Sequence, residues 1–438
     1  MRNSPELLAP AGSPLALRRA VAYGADAVYA GVPRWSLRVR GNGFSRDDFE
    51  GGIRYAHEHG CRFYAVVNAI PHERRLHADF AGQLREIASL GPDALIMADP
   101  GLMSQALEIC PQIPIHLSVQ ANTVNSGDVK FWSRLGIKRC ILARELSLSE
   151  IKMIRDECPD TELEVFAHGA LCVAVSGRCL ISGLLSRRDA NTGACNNSCR
   201  HLFRVRARGI QTFKAGSAED LPDDLVLATE IEDAEKRPGE WMGMEQDAGG
   251  TYLMNSKDLC TLPILGKLCA TGVDSIKIEG RSRSPFYVAA ITRAYRLALD
   301  AIARGEQVPG ESFLIASSIP SRGYTTALLE GGRCDLMQDY ETNTPSPGRM
   351  RICGQVLSQD PDGTIHVRVK NRFGDGRVSM LTPRGFVDLD VSQMADEESG
   401  ERVQVAKGSG YFVKLPCPFK VDLEMDEMVA WCDDGDPA

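Results

Sequence analysis

The chain has no run approaching the ~20 consecutive apolar residues needed to cross a bilayer. Its first residues, MRNSPELLAPAG, lack the apolar centre of a secretory signal. A soluble cytoplasmic protein without a membrane partner is expected, in which the fourteen cysteines stay reduced and unpaired. Positive charge is also short. A formal net charge of −8 argues against non-specific coating of nucleic acid, which rests on neutralising phosphates. Three catalytic signatures are missing as well. No G-x-G-x-x-G follows the first strand-like run, which leaves a dinucleotide site without support. No H-E-x-x-H is present, because His72-Glu73 is followed by His77, one residue too far for both imidazoles to share a helical face. No G-x-S-x-G elbow occurs either. Peptidase chemistry therefore has none of its usual tools.

What is present is a rhythm. Eight short apolar runs alternate with helical patterns: ELLAPAG, AVYAGV, RFYAVVNAI, ALIMADP, IPIHLSVQAN, RCILAR, ELEVFAHGAL and SIKIEGR. Strands buried on both faces read as apolar runs, and eight β-then-α units point to an α/β fold, a TIM-like (β/α)8 barrel over residues 1–310. About a hundred residues separate the seventh run from the eighth, far more than a simple βα unit needs. A cysteine-rich insertion, 172–260, is expected there. Pro, Ser and Gly in SSIPSRGY and TNTPSPGR suggest a linker over 311–345. From 346 to 438, alternating runs such as TIHVRVKN and RVQVAKG, separated by DPDG and GSG turns, suggest a small β-barrel or sandwich domain.

Functional loops of such barrels gather at the C-terminal ends of the strands. The polar residues there are Asn68, Asp99, Gln120, Asn122, Arg144, Glu145, His168, Lys277 and Glu279. Lys277 and Glu279 lie two apart on one strand and are expected to share a face, a costly arrangement unless it serves a ligand or a network. With His168 as a proton donor and Arg144 as a carboxylate grip, assisted by Arg281, they form the candidate catalytic set. Gln120, Asn122, Tyr29 and Phe44 are candidate substrate contacts at the mouth, and Arg38 and Arg40 a candidate basic patch.

The densest signal is Glu164–Arg200, where Cys172, Cys179, Cys195 and Cys199 are spaced C-x6-C-x15-C-x3-C among glycines. Structural zinc sites usually show pairs two to four residues apart, and only the last pair comes near that. Iron–sulfur clusters accept looser spacings, so a cluster is favoured over zinc without excluding it. Cys260, in MNSKDLC, competes with Cys199 as fourth ligand. Cys61, Cys140, Cys269 and Cys353 sit in apolar contexts and read as small hydrophobes.

The run Glu164-x-Phe166-x-x-Gly169-Ala170-Leu171-Cys172, followed by Gly177-x-Cys179-x-Ile181-Ser182, resembles the signature of the collagenase-like peptidase family. PELLAPAGSPLALRRAVAYGADAVYAG, GPDALIMADPGL, IHLSVQANTVN and KIEGRSRS extend the likeness along nearly the whole chain. Despite the family name, the resemblance implies tRNA modification: hydroxylation of a wobble uridine to 5-hydroxyuridine, dependent on prephenate and on an iron–sulfur cluster of the 4Fe–4S type. It places the cluster on Cys172, Cys179 and Cys195, with Cys199 matching the family's C-x3-C. Family relatives also suggest rRNA or the ubiquinone ring as alternative substrates.

Overall fold

The structure is a computed structural model describing residues 4–33, 35–36, 44–72, 80–171, 203–207, 229–234, 239, 241–244, 257–330, 348–374 and 376–431. Seven parallel strands come first: β1 (Glu6–Ala11), β2 (Ala27–Gly31), β3 (Arg62–Val67), β4 (Ala94–Met97), β5 (Ile115–Leu117), β6 (Arg139–Ile141) and β7 (Glu162–Ala170). The chain then makes a separate three-stranded antiparallel unit, β8 (Phe203–Ala207), β9 (Thr229–Asp233) and β10 (Trp241–Met244), before β11 (Asp258–Cys260) and β12 (Ser275–Ile278). β12 pairs in parallel with both β7 and β1, which closes an eight-stranded barrel. The expected (β/α)8 architecture with an insertion after the seventh strand is what folds.

The helices of the outer layer are α1 (Pro14–Ala22), α2 (Arg46–Glu58), α3 (Phe80–Ser89), α4 (Pro100–Ile109), α5 (Ser126–Arg134), α6 (Leu148–Glu157), α7 (Leu265–Ala270) and α8 (Pro285–Ala303). Local chemistry starts several of them. Ser13, Ser45, Asn125, Ser147 and Ser284 each accept a hydrogen bond from a first-turn N–H, with capping boxes at Ser45 and Ser147. Asp99 does the same for α4, accepting from Leu102 N at 3.0 Å, so its carboxylate serves the helix. Helix α8 is buried along most of its length and packs against α1 and β1.

β11 runs antiparallel beside the last residues of β7, Cys260 opposite His168 and Asp258 opposite Ala170. The insertion therefore leaves and re-enters the barrel at one point on its C-terminal rim. Beyond α8, the segment expected as linker is ordered through residue 330. It holds α9 (Gly310–Ser318) and β13 (Tyr324–Thr325), the latter paired with β11. Its Pro and Ser content conceals Ile315, Ala316, Ile319 and Leu329, which join the barrel core. Residues 331–347 lie outside the described set.

The C-terminal region is a seven-stranded antiparallel sheet formed by β14 (Met350–Gln359), β15 (Thr364–Val369), β16 (Val378–Thr382), β17 (Gly385–Asp388), β18 (Ala395–Asp396), β19 (Phe412–Pro416) and β20 (Glu427–Trp431). It has its own core around Cys353, Ile365, Val367, Met380 and Val413. Tyr23, at the end of α1, docks it to the barrel by donating to Leu381 O and Met425 O, each at 2.9 Å.

Candidate active site in the barrel lumen and its mouth

Inward positions of a small barrel are usually filled by branched apolar side chains. Here many are charged. Glu6 on β1, Arg139 on β6, Glu164 on β7, and Ser275 and Lys277 on β12 are all at most 4 % exposed. Arg139 reaches Glu6 at 2.7 Å, Glu164 at 3.1 Å and Glu162 at 2.7 Å. Glu6 also pairs with Arg62 and accepts from Tyr64 Oη at 2.8 Å and Ser275 Oγ at 3.0 Å. Burial alone would raise the Glu6 carboxyl, but the Arg139 and Arg62 charges and these hydrogen bonds outweigh it and hold it below the usual carboxylate range. Burial works against the Arg139 charge, and Glu164 and Glu6 more than compensate.

Lys277 continues the network upward. Its Nζ donates to Glu164 Oε1 at 2.9 Å and lies 4.4 Å from the Tyr29 ring centre and 5.5 Å from that of Phe166. Burial pulls the ammonium below its ordinary value despite the Glu164 charge. The partner of Lys277 is thus Glu164 and not Glu279. Above this pair β7 carries a bulge: Lys277 pairs with Phe166, yet the next residue, Ile278, pairs with His168. Beyond it the Glu279 N–H donates to His168 O at 2.8 Å, and the Glu279 carbonyl accepts from Tyr287 Oη at 3.0 Å.

The same bulge relocates His168. Strict alternation would put it in the lumen with Glu164 and Phe166, but the extra residue reverses the phase. His168 faces α8, its Nδ1 3.3 Å from Tyr295 Oη and its ring against Tyr287, Tyr295 and Tyr324. Burial, with Arg283 nearby, lowers its pKa to about 3. A neutral imidazole packed behind the barrel wall replaces the proton donor expected at the mouth. Gly169 makes the bulge possible: its φ is +106°, and a Cβ there would come 2.6 Å from Glu279 O.

Cys260 shares that outer face. Its sulfur lies 3.9 Å from Tyr295 Oη, and burial raises its thiol pKa. Cys172, Cys179, Cys195 and Cys199, with Arg38 and Arg40, lie outside the described residues. Among the described residues no three His, Cys, Asp or Glu side chains are placed to hold a metal ion, and no helix is long and apolar enough to cross a membrane.

At the mouth, Arg144 stacks on Phe166 at 3.9 Å and donates to Ala170 O at 3.2 Å, placing a guanidinium beside the end of β7. Arg281 donates to Ser36 Oγ at 2.5 Å and lies 5.9 Å from the Tyr29 ring. Tyr29 is a wall residue, with Lys277 over its ring and its hydroxyl donating to Ile278 O at 2.8 Å, which leaves it poorly suited to stack a base. Past β5, a 3-10 turn (Val119–Ala121) carries Gln120, which accepts from Asn68 Nδ2 at 2.6 Å and Ser118 Oγ at 3.1 Å. Asn122 follows in a left-handed conformation. Sequence reading placed Lys277, Arg144, Gln120 and Asn122 at this end of the barrel and missed Glu6, Arg139 and Glu164. Their signal was charge at inward positions of otherwise apolar runs, as in ELEVF and KRCIL.

Two family descriptions match the chain: Peptidase family U32 over residues 12–337 and the Peptidase family U32 C-terminal domain over 349–429. The chain is 42% identical over 435 residues to tRNA hydroxylation protein P of Escherichia coli, covering 96% of this chain and 95% of that one. It is 43% identical over 437 residues to the protein of the same name in Haemophilus influenzae, covering 96% and 94%. It is also 32% identical over 340 residues to the 23S rRNA 5-hydroxycytidine C2501 synthase of E. coli, covering 76% of this chain and 46% of that one. By match across both domains and by identity along nearly its full length, the chain belongs to peptidase family U32.

Proposed function

We propose that this protein is an enzyme that hydroxylates tRNA, converting a wobble uridine to 5-hydroxyuridine. The observation that carries the reading is the near-full-length identity to two proteins named for tRNA hydroxylation. The barrel adds a rim suited to a base, with Gln120, Asn122 and Asn68 on one side and Arg144 and Arg281 on the other. The family name does not carry peptidase activity over, since the sequence lacks the corresponding motifs.

A 4Fe–4S cluster on Cys172, Cys179, Cys195 and Cys199 is part of the reading, supported by the family resemblance and by the four-thiol donor set. When bound, such a cluster supplies one-electron chemistry. The chain's own residues do the rest. Arg144 and Arg281 offer guanidinium groups to a carboxylate such as those of prephenate. Lys277, held by Glu164, brings a cation to the lumen beneath them. Arg38 and Arg40 are assigned to tRNA phosphates, and a cytoplasmic location follows from this substrate.

The test is complementation. The chain is expressed in bacteria deleted for their own tRNA hydroxylation genes, and digested tRNA is analysed by mass spectrometry. Restored 5-hydroxyuridine is expected, and its absence with folded protein present refutes the assignment. Hydroxylated cytidine in rRNA would instead identify the rRNA reading suggested by the third relative.

A further inference from the structure

The turn after β5 leaves two polar atoms buried without partners. Gln120 is 4 % exposed, and Asn68 Nδ2 and Ser118 Oγ both donate to its Oε1, at 2.6 and 3.1 Å. That fixes which way the carboxamide faces. Its Nε2, with two hydrogens to donate, is buried and has no partner. Two residues on, Asn122 Oδ1 is buried and has no partner either. Asn122 is also one of two non-glycine residues with positive φ among the described residues, at φ 56° and ψ 51°. Native folds rarely leave buried polar groups unpaired, and they hold left-handed asparagines mostly where the surroundings demand it. Here an unpaired donor and an unpaired acceptor lie two residues apart in the turn that follows a barrel strand's C-terminal end, where such folds bind their substrates.

We propose that Gln120 and Asn122 read the pyrimidine edge of the target base and select uridine over cytidine. Uracil presents an acceptor at O4 beside a donor at N3–H. Gln120 Nε2 donates to O4, and Asn122 Oδ1 accepts from N3–H. Cytosine reverses both groups, so its amino group meets the Gln120 donor and its bare N3 meets the Asn122 acceptor. A site built to hydrogen-bond one pattern rejects the reverse because its buried groups stay unpaired. The inference rests on the tRNA-uridine reading above and adds which residues carry base selection.

The experiment uses the full-length protein and fluorescently labelled anticodon stem-loop RNA carrying uridine, cytidine or 3-methyluridine at the target position, read by anisotropy. The last replaces the N3 hydrogen with a methyl group, which removes the donor. Wild type is expected to prefer uridine over each alternative by about tenfold to a hundredfold, the discrimination typical of a well-placed pair of base hydrogen bonds. Asn122→Gly suits the left-handed backbone and removes only the carboxamide. It should bring uridine and 3-methyluridine to near-equal affinity. Gln120→Glu keeps an oxygen for Asn68 and Ser118 but turns the donor into an acceptor, and should move preference toward cytidine. Unchanged melting temperatures exclude a folding defect. Variants that discriminate as wild type does overturn the proposal, as does a wild type indifferent to the base. Discrimination without any hydroxylated tRNA in the complementation assay would leave base selection standing and remove the hydroxylation reading instead.

Discussion

Replacing Arg139 with methionine tests the charged barrel interior most directly. The guanidinium is 2 % exposed and bonds three carboxylates, two of them, Glu6 and Glu164, at most 1 % exposed. Methionine fills much of the volume but leaves those two carboxylates short of their main counter-charge. Glu6 keeps Arg62, Tyr64 and Ser275, and Glu164 keeps Lys277. Removing one member of a buried ion network costs about 3–5 kcal/mol, against a total stability of roughly 5–15 kcal/mol for a typical fold. Arg139→Met should therefore express poorly, and what folds should unfold at markedly lower urea.

The pH dependence gives the reasoning a sign. In the wild type, the folded Glu6 carboxyl is held below its unfolded value of about 4.3. Its stabilisation is present above that pH and is lost as pH falls below it. In the variant, burial dominates and raises the Glu6 carboxyl, so protonation relieves the uncompensated charge. The deficit relative to wild type should shrink between pH 7 and pH 5. Urea titrations followed by tryptophan fluorescence at both pH values suffice, since Trp35 is 2 % exposed in the barrel core. A loss under about 1 kcal/mol at pH 7, well below what breaking a buried network costs, would refute the account. So would a deficit that grows on acidification. Adding Glu6→Gln to the variant, which rebalances the network while leaving Glu164 to Lys277, should restore part of the loss.

Three further outcomes are expected. His168, with a folded pKa of about 3, stays neutral while its unfolded counterpart protonates below about 6.5. It therefore costs the wild type about 2 kcal/mol on going from pH 7 to pH 5, and His168→Phe should remove that component of acid sensitivity in the same titrations. Tyr23→Phe deletes the hydroxyl that donates to Leu381 O and Met425 O. It should cost about 1–3 kcal/mol and speed proteolytic separation of the C-terminal sheet, whereas an unchanged digestion pattern would count against the docking role. Anaerobically purified protein should contain iron and sulfide in wild type and Cys260→Ala but not in Cys172→Ala. Loss of the cluster in Cys260→Ala and its retention in Cys199→Ala would reverse the assignment of the fourth ligand.

The barrel was legible because parallel strands buried on both faces leave near-continuous apolar runs, and all eight were found. The lumen network was not, because its partners are remote in sequence: Arg139 and Glu6 are 133 positions apart, and each reads as a lone charge on its own strand. His168 was misplaced for a local reason. Period-two alternation is reliable only while pairing is regular, and β7 breaks register between Phe166 and His168. The sequence does mark the break, since Gly169 is followed by small Ala170, but a glycine in a strand signals a bulge only once its φ is known. Residues 311–330 failed for the opposite reason, composition outweighing the few apolar side chains that anchor them.

The charge balance inside the barrel bears on what part of an RNA can enter it. In the buried lumen Glu6 and Glu164 face Arg139 and Lys277, and at its edge Glu162, Arg62 and Lys138 pair into the same network. A lumen with its cations already spoken for has little to offer a phosphate. The uncharged face of a pyrimidine is a better match, provided that hydrogen-bonding groups wait at the rim, as Gln120 and Asn122 do. Affinity for the tRNA backbone must then come from arginines outside the lumen, on a chain whose net charge is −8. Binding should accordingly weaken with salt in proportion to a few rim contacts. The choice of base, made by neutral groups at the mouth, should survive the same salt unchanged.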